Sequence, residues 1–250
     1  MESSRSTSLV ATNVAQLAQA SEGHLDAQIP TCPEWTVRDL ILHLVLVYRH
    51  KTECMRRGEA PSDWPSETDT HTPPLTQLRA AMADMLAEMT ARGPDSHAYT
   101  WYEPDQTVGF WIRRMVHETV IHRVDAEIAA KHPVSEIADD VALDGIDELL
   151  KIFCDWSSHQ WIDELSGLLR ELGSATIAVV VGDHAWTVEL GPDGVDVEDT
   201  QRAKVDATIM AEPTQMLLWL WRRGEYDDVA VKGESAAVAK FYRVLETMTQ

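Results

Sequence analysis

Apolar residues recur at helical spacing in four stretches, residues 9–25, 37–57, 75–92 and 108–130, and each reads as an amphipathic helix. Thr36 stands where an N-cap belongs, and the run IPTCPEW before it, with its two prolines, supplies a rigid approach. Residues 58–74 hold four prolines among Ser, Thr and Asp and read as an irregular surface crossover. One further helical pattern, over 139–171, closes the first half.

After Gly173 the alternation shortens to that of strands. ATIAVVV (175–181) and AWTVEL (185–190), joined by Gly-Asp-His, read as a hairpin of β-branched and aromatic residues. Shorter strands follow at 195–197, 207–210 and near 229–231, with helices at 214–223 and 235–248 flanking the last of them. The predicted fold class is α+β in two domains: a helical bundle over 1–172, then a small α+β domain over 173–250. GPDG at 191–194 reads as a turn, since no strand-to-helix glycine pattern makes it a phosphate loop.

Composition adds exclusions. The chain is 44% hydrophobic and 25% charged, as globular domains are, and its net charge of −20 repels phosphate backbones and anionic lipid. With no basic patch to offset that field, nucleic acid and membrane surfaces are excluded as partners and a small-molecule substrate is expected. Cys32, Cys54 and Cys154 are odd in number and form no CxxC pair, which argues against disulfides and against a thiolate zinc site. They fit a reducing cytoplasm, as does an N-terminus without a signal-type apolar core. The most apolar stretch, residues 40–48, is about half a membrane span. A monomer or homodimer is expected.

The chemistry centres on RMVHETVIHRVDAE, residues 114–127, which is close to the zinc-protease signature HExxH but has one residue too many. Successive helical residues turn by about 100°, so His117 and His122 point about 140° apart and cannot share a metal unaided. Glu118 and His122 differ by only about 40°, and Val108, Trp111, Met115, Ala126 and Ala129 lie within about 60° of the same direction. That pair therefore faces the bundle interior. A carboxylate there needs a proton, a cation or a metal, because burying it unpaired costs several kcal/mol by an order-of-magnitude estimate. A catalytic zinc site takes three protein ligands, and helix 37–57 offers the third. His43 lies on the apolar arc with Leu40 and Val47, while His50 and Cys54 fall within about 20° of it, so spacing leaves all three open.

The segment PTCPEWTVRDLILHL, residues 30–44, resembles the opening block of the mycothiol-dependent maleylpyruvate isomerase family, a branch of the DinB-like metalloenzymes. RRMVHETVIHRVDA, residues 113–126, resembles its second block. LLWLWRRG (217–224) with VAVKGE (229–234) is similar to its sterol-carrier-like C-terminal domain. The resemblance implies that the bundle is a DinB-like up-down four-helix bundle holding a divalent metal, usually zinc, by His43, Glu118 and His122. It also implies mycothiol as thiol cosubstrate, used to isomerise an unsaturated keto acid of maleylpyruvate type or transferred to an electrophile.

In this reading His117 lies off the metal at an interhelix or interdomain contact, and Arg123 and Asp125 stand behind the ligands or form a surface ion pair. Arg223 falls where the family pattern has an arginine. With Arg222 it is a candidate clamp for a substrate carboxylate, although arginines also complement a helix C-terminus. Trp35, Trp111, Trp219 and Trp221 are expected to pack, and Cys32 and His24 to approach the metal end. Two other function classes stand beside this one: a metal-binding accessory or ligand-binding protein without thiol chemistry, and a thiol-independent metal-water hydrolase or lyase.

Overall fold

In the computed structural model, which describes residues 3–62, 64–65 and 69–249, the helical stretches of the first half form α1 (Ser3–Ser21), α2 (Val37–Arg57), α3 (Pro74–Arg92) and α4 (Val108–Ala129). α1 starts earlier than its apolar pattern because its first turn is polar, with the Thr7 and Ser8 hydroxyls donating to the Ser4 carbonyl at 3.0 Å. α1 packs on α4 and α2 on α3, and α2 also meets α4. Leu17, Leu40, Leu44, Leu78, Val108, Trp111 and Val124 are fully buried in this core. Each such side chain contributes roughly 1.5–3 kcal/mol by its burial.

The ends of α2 are set by local chemistry, and with them the angular position of His43. The Thr36 hydroxyl accepts from the Asp39 N–H at 3.3 Å, and the Asp39 carboxylate accepts from the Thr36 N–H at 2.8 Å, a reciprocal capping box. At the other end Gly58 takes the left-handed conformation, φ 70°, and donates its N–H to the Cys54 carbonyl at 3.1 Å. Before α2 a two-stranded hairpin, β1 (Gln28–Ile29) with β2 (Cys32–Thr36), packs on α2 and α4. The sequence pattern shows only an approach loop here.

The chain divides into two compact units, Met1–Ser135 and Glu136–Gln250, so the structural division falls at 135/136, whereas the sequence pattern puts it near 172. The helix expected over 139–171 is in the second unit and is not one helix. α5 (Asp139–Glu148) runs into a π-helical stretch, Leu149–Trp156, and then α6 (Ser157–Gln160); after a break at Trp161, α7 (Ile162–Leu172) follows. Ser157 Oγ bonds the Ile152 carbonyl and Ser158 Oγ that of Asp155, both at 2.8 Å, competing with the regular helical ladder. Periodicity identifies the buried face of such a segment but not the partner that buries it. Here the partners are β-unit elements: α5 packs on the later helix α8 (Pro213–Leu220), and the π-helical stretch packs on β5 (Gly194–Glu198).

The second unit is built on a five-stranded sheet of order β5-β4-β3-β6-β7, comprising β3 (Ala175–Val181), β4 (His184–Gly191), β5, β6 (Ala207–Met210) and β7 (Ala230–Gly233). β3 and β6 are parallel and the other neighbours antiparallel. Val181 pairs with His184 across a two-residue turn, and Gly191 pairs with Gly194 across Pro-Asp, the turn expected at 191–194. α9 (Ser235–Met248) covers β3 and β6. Among the described residues no helix is long and apolar enough to cross a membrane.

Candidate metal centre

His43 from α2 and Glu118 and His122 from α4 converge in the bundle, one ligand atom of each lying within 4.8 Å of the others. His43 Nε2 is 3.3 Å and His122 Nε2 3.2 Å from the same oxygen, Glu118 Oε1, and the two imidazole rings are 5.1 Å apart. The side chains of Glu118 and His122 are each 13% exposed, and His43, at 34%, is the most accessible of the three.

Each member is held by something behind it. His122 Nδ1 is 3.2 Å from Asp125 Oδ2, and Asp125 Oδ1 accepts from the Thr31 hydroxyl at 2.8 Å, which ties the ring to the turn between β1 and β2. A carboxylate on Nδ1 directs the lone pair of Nε2 toward the trio. Arg114, one turn before Glu118, donates to Glu118 Oε2 and leaves Oε1 facing the two imidazoles. The Trp35 ring lies 4.8 Å from that of His43.

The electrostatics follow from this crowding. Burial pushes the Glu118 carboxyl up, but Arg114, His122 and the hydrogen bonds from both rings outweigh it and hold the group well below its ordinary value. For His122 burial works downward and is outweighed by Glu118 and Asp125, which push it up to about 9. The site thus favours an ionised carboxylate that is matched by positive charge.

Of the two sequence alternatives to His43, neither is in the trio. His50 Nδ1 faces Lys51 Nζ at 3.1 Å and Cys54 Sγ at 3.6 Å, and its ring meets Trp64 edge-on at 4.7 Å. His117 is also outside the trio. His24 stands edge-on to His132, 5.6 Å away, and the loop before α2 reaches the site through Thr31 and Trp35. Arg123 is buried and bonds Asn13, Glu127 and Ser135, so it forms neither a surface pair nor a support for the ligands. Arg114 has a sequence signal that composition hides, the i,i+4 spacing to Glu118.

Arg222 and Arg223 belong to the second unit. Arg222 is left-handed, φ 60°, at the end of α8, where the Arg223 N–H returns to the Leu218 carbonyl at 2.7 Å, which is why the helix stops at Leu220. The Arg222 guanidinium is 3.6 Å from Glu246, and Arg223 donates to the Trp221 carbonyl at 2.6 Å. Among the described residues Arg222 Nε is buried without a hydrogen-bond partner.

None of the three cysteines is in a disulfide. Burial, with Asp155 nearby, pushes Cys154 up to about 12, and burial also raises Cys54 against the pull of Lys51, while Cys32 is half-buried. A disulfide reagent at neutral pH is expected to titrate one thiol rapidly in the native protein and three after denaturation; a second fast thiol would contradict these burials.

The sequence matches the family model described as the mycothiol maleylpyruvate isomerase N-terminal domain over residues 7–127, and the model for the C-terminal domain of the same enzyme over residues 140–240. None of the curated proteins matches it. Among solved structures, that of the mycothiol-dependent maleylpyruvate isomerase is similar over 94% of this chain and 95% of its own, with 11% identity and a TM-score of 0.61. A histidine-to-alanine variant of that enzyme gives the same coverage, 10% identity and a TM-score of 0.59. Identities this low speak for the fold, and the family models speak for descent. Across both of its units the chain belongs to the mycothiol-dependent maleylpyruvate isomerase family of enzymes.

Proposed function

We propose that this protein is a metal-dependent enzyme that uses mycothiol to isomerise an unsaturated keto acid of the maleylpyruvate type. The observation that carries the reading is the convergence of two imidazole nitrogens and one carboxylate oxygen from two helices, with Asp125 fixing one ring from behind. Two histidines and a glutamate are a donor set suited to zinc with a coordination position left open. A divalent ion held there would supply a Lewis acid that lowers the pKa of a bound thiol.

His43, Glu118 and His122 are the ligands in this proposal. Asp125 and Thr31 hold His122 in the productive tautomer, Arg114 orients Glu118, and Trp35 shields the His43 side from water. A thiolate adding to a conjugated carbon of the cis-substrate converts a double bond to a single one. Rotation and departure of the thiolate then give the trans-product and return the thiol unchanged. Transfer of the thiol to an electrophile would use the same sulfur. Arg222, whose buried Nε has no partner among the described residues, enters the proposal with Arg223 as a clamp for a substrate carboxylate. Three cysteines outside any disulfide suit a cytoplasmic setting.

The test is metal analysis of the purified protein together with a maleylpyruvate assay with and without mycothiol. One equivalent of a divalent metal and turnover that requires the thiol are expected. Full activity without thiol would select the hydrolase or lyase reading, and metal retention with neither turnover nor thiol binding would select the accessory-protein one.

A further inference from the structure

Two cations stand on the seam between α2 and α4 near the trio, and they are in different states. Arg114 is satisfied by Glu118. Lys51, two turns beyond His43 on α2, is half-buried, its ammonium desolvated, and it pairs with no carboxylate among the described residues. Its ammonium lies 4.7 Å over the centre of the Trp111 ring and 3.1 Å from His50 Nδ1. Burial and the Lys51 charge hold His50 down to about 4, so its ring is neutral at physiological pH and Nδ1 accepts from the ammonium.

A neutral ring nitrogen and an indole face are weak company for a buried ammonium, which costs free energy unless a counter-charge is supplied. Lys51 lies in the field of both Glu118 and Arg114, the first favouring its charge and the second opposing it. A divalent ion on the trio would add further positive charge and deepen the deficit. An anion arriving with the ligand removes it. A compact ammonium, a point charge with three donors, can neutralise one carboxylate of a small acid while His50 holds it from the other side.

We propose that Lys51 is the anchor for a substrate carboxylate in the bundle, held against the buried Trp111 ring until the carboxylate arrives. The inference rests on the reading of His43, Glu118 and His122 as the metal-holding trio. Eight residues of α2, about 12 Å of rise, separate Lys51 from His43. Side chains on a helix lean toward its N-terminus, the direction of the trio from Lys51, and the ammonium already feels the Glu118 charge.

The test uses the full chain loaded with zinc, and maleate as the probe, titrated calorimetrically into the wild type, Lys51→Met and Lys51→Arg. Lys51→Met is expected to weaken maleate binding by about 10-fold or more, the effect of losing a hydrogen bond to a charged group. Lys51→Arg should recover most of the affinity, and zinc content should be the same in all three. Because the methionine removes a buried unpaired charge, its melting temperature should equal that of the wild type or rise by about 2–4 °C. Unchanged maleate affinity in Lys51→Met, a melting temperature lowered by several degrees, or inorganic phosphate bound more tightly than maleate would each overturn the assignment. Should the wild type hold no zinc, the metal reading fails by itself. Maleate binding lost in Lys51→Met of that metal-free protein would still support the anchor.

Discussion

Glu118→Ala is expected to yield protein without bound metal and without thiol-dependent turnover, less stable than the wild type by about 3–5 kcal/mol, as when one partner of a buried ion pair is removed. The size of the effect comes from how much depends on one carboxylate. Oε1 faces both His43 and His122, and Oε2 receives Arg114, whose side chain is 8% exposed. Alanine removes a ligand, leaves Arg114 without the carboxylate one turn away and opens a void between α2 and α4. Two companion variants separate these effects. Glu118→Gln keeps the volume and an acceptor for Arg114 but no charge, so metal is lost while most of the stability stays. Asp125→Asn leaves the ligands in place and weakens only the support of His122, so metal affinity should fall by about 10–100-fold. Elemental analysis after gel filtration, with urea unfolding on the same samples, reads both quantities. A full equivalent of metal in purified Glu118→Ala would remove the centre from the mechanism.

The parts of this centre visible in the sequence are those set by the geometry of a single helix. Glu118 and His122 are one turn apart on an apolar stripe, and any helix built on that pattern brings them together. The choice of His43 over His50 and Cys54 depends on how α2 and α4 pack. Periodicity within α2 cannot supply it, since all three share one arc; resemblance to the family supplied it. The supports of the centre were less visible for the same reason. Asp125 reaches His122 locally, three residues on, but Thr31 completes the link from 94 residues away, through a hairpin whose short strands carry no periodic signal. Strands and helices of the second unit followed the pattern closely from 175 onward, because the β-branched hairpin and the last helix bury faces that local alternation defines. The division between the units did not, because an amphipathic segment such as 139–160 shows its apolar face without naming the surface that covers it.

Arg123→Ala is expected to lower stability by as much as the loss of Glu118 does, yet leave metal binding intact. Arg123 is one residue past His122 on α4, but one residue on a helix is a rotation of about 100°, and its side chain points instead to α1. There Nε donates to Asn13 Oδ1 at 2.8 Å, and Nη1 donates to Glu127 Oε2 at 2.6 Å and to the Ser135 carbonyl at 3.1 Å. Glu127 in turn accepts from the Ser135 N–H and hydroxyl, at 3.0 and 2.6 Å. With Arg123 and Glu127 side chains only 1% and 4% exposed, water cannot replace the guanidinium when it is removed. The cost of about 3–5 kcal/mol corresponds to a fall of roughly 6–20 °C in melting temperature for a chain of this size. Lysine restores the charge but not the fork that meets three acceptors, so Arg123→Lys should recover part of the loss. Removing both charges in Arg123→Met with Glu127→Gln should cost less than the sum of the single changes, because neither is then left buried alone. Zinc content equal to that of the wild type in every folded variant is the decisive reading. If Arg123→Lys lost metal while keeping its melting temperature, the guanidinium would have to be counted among the supports of His122.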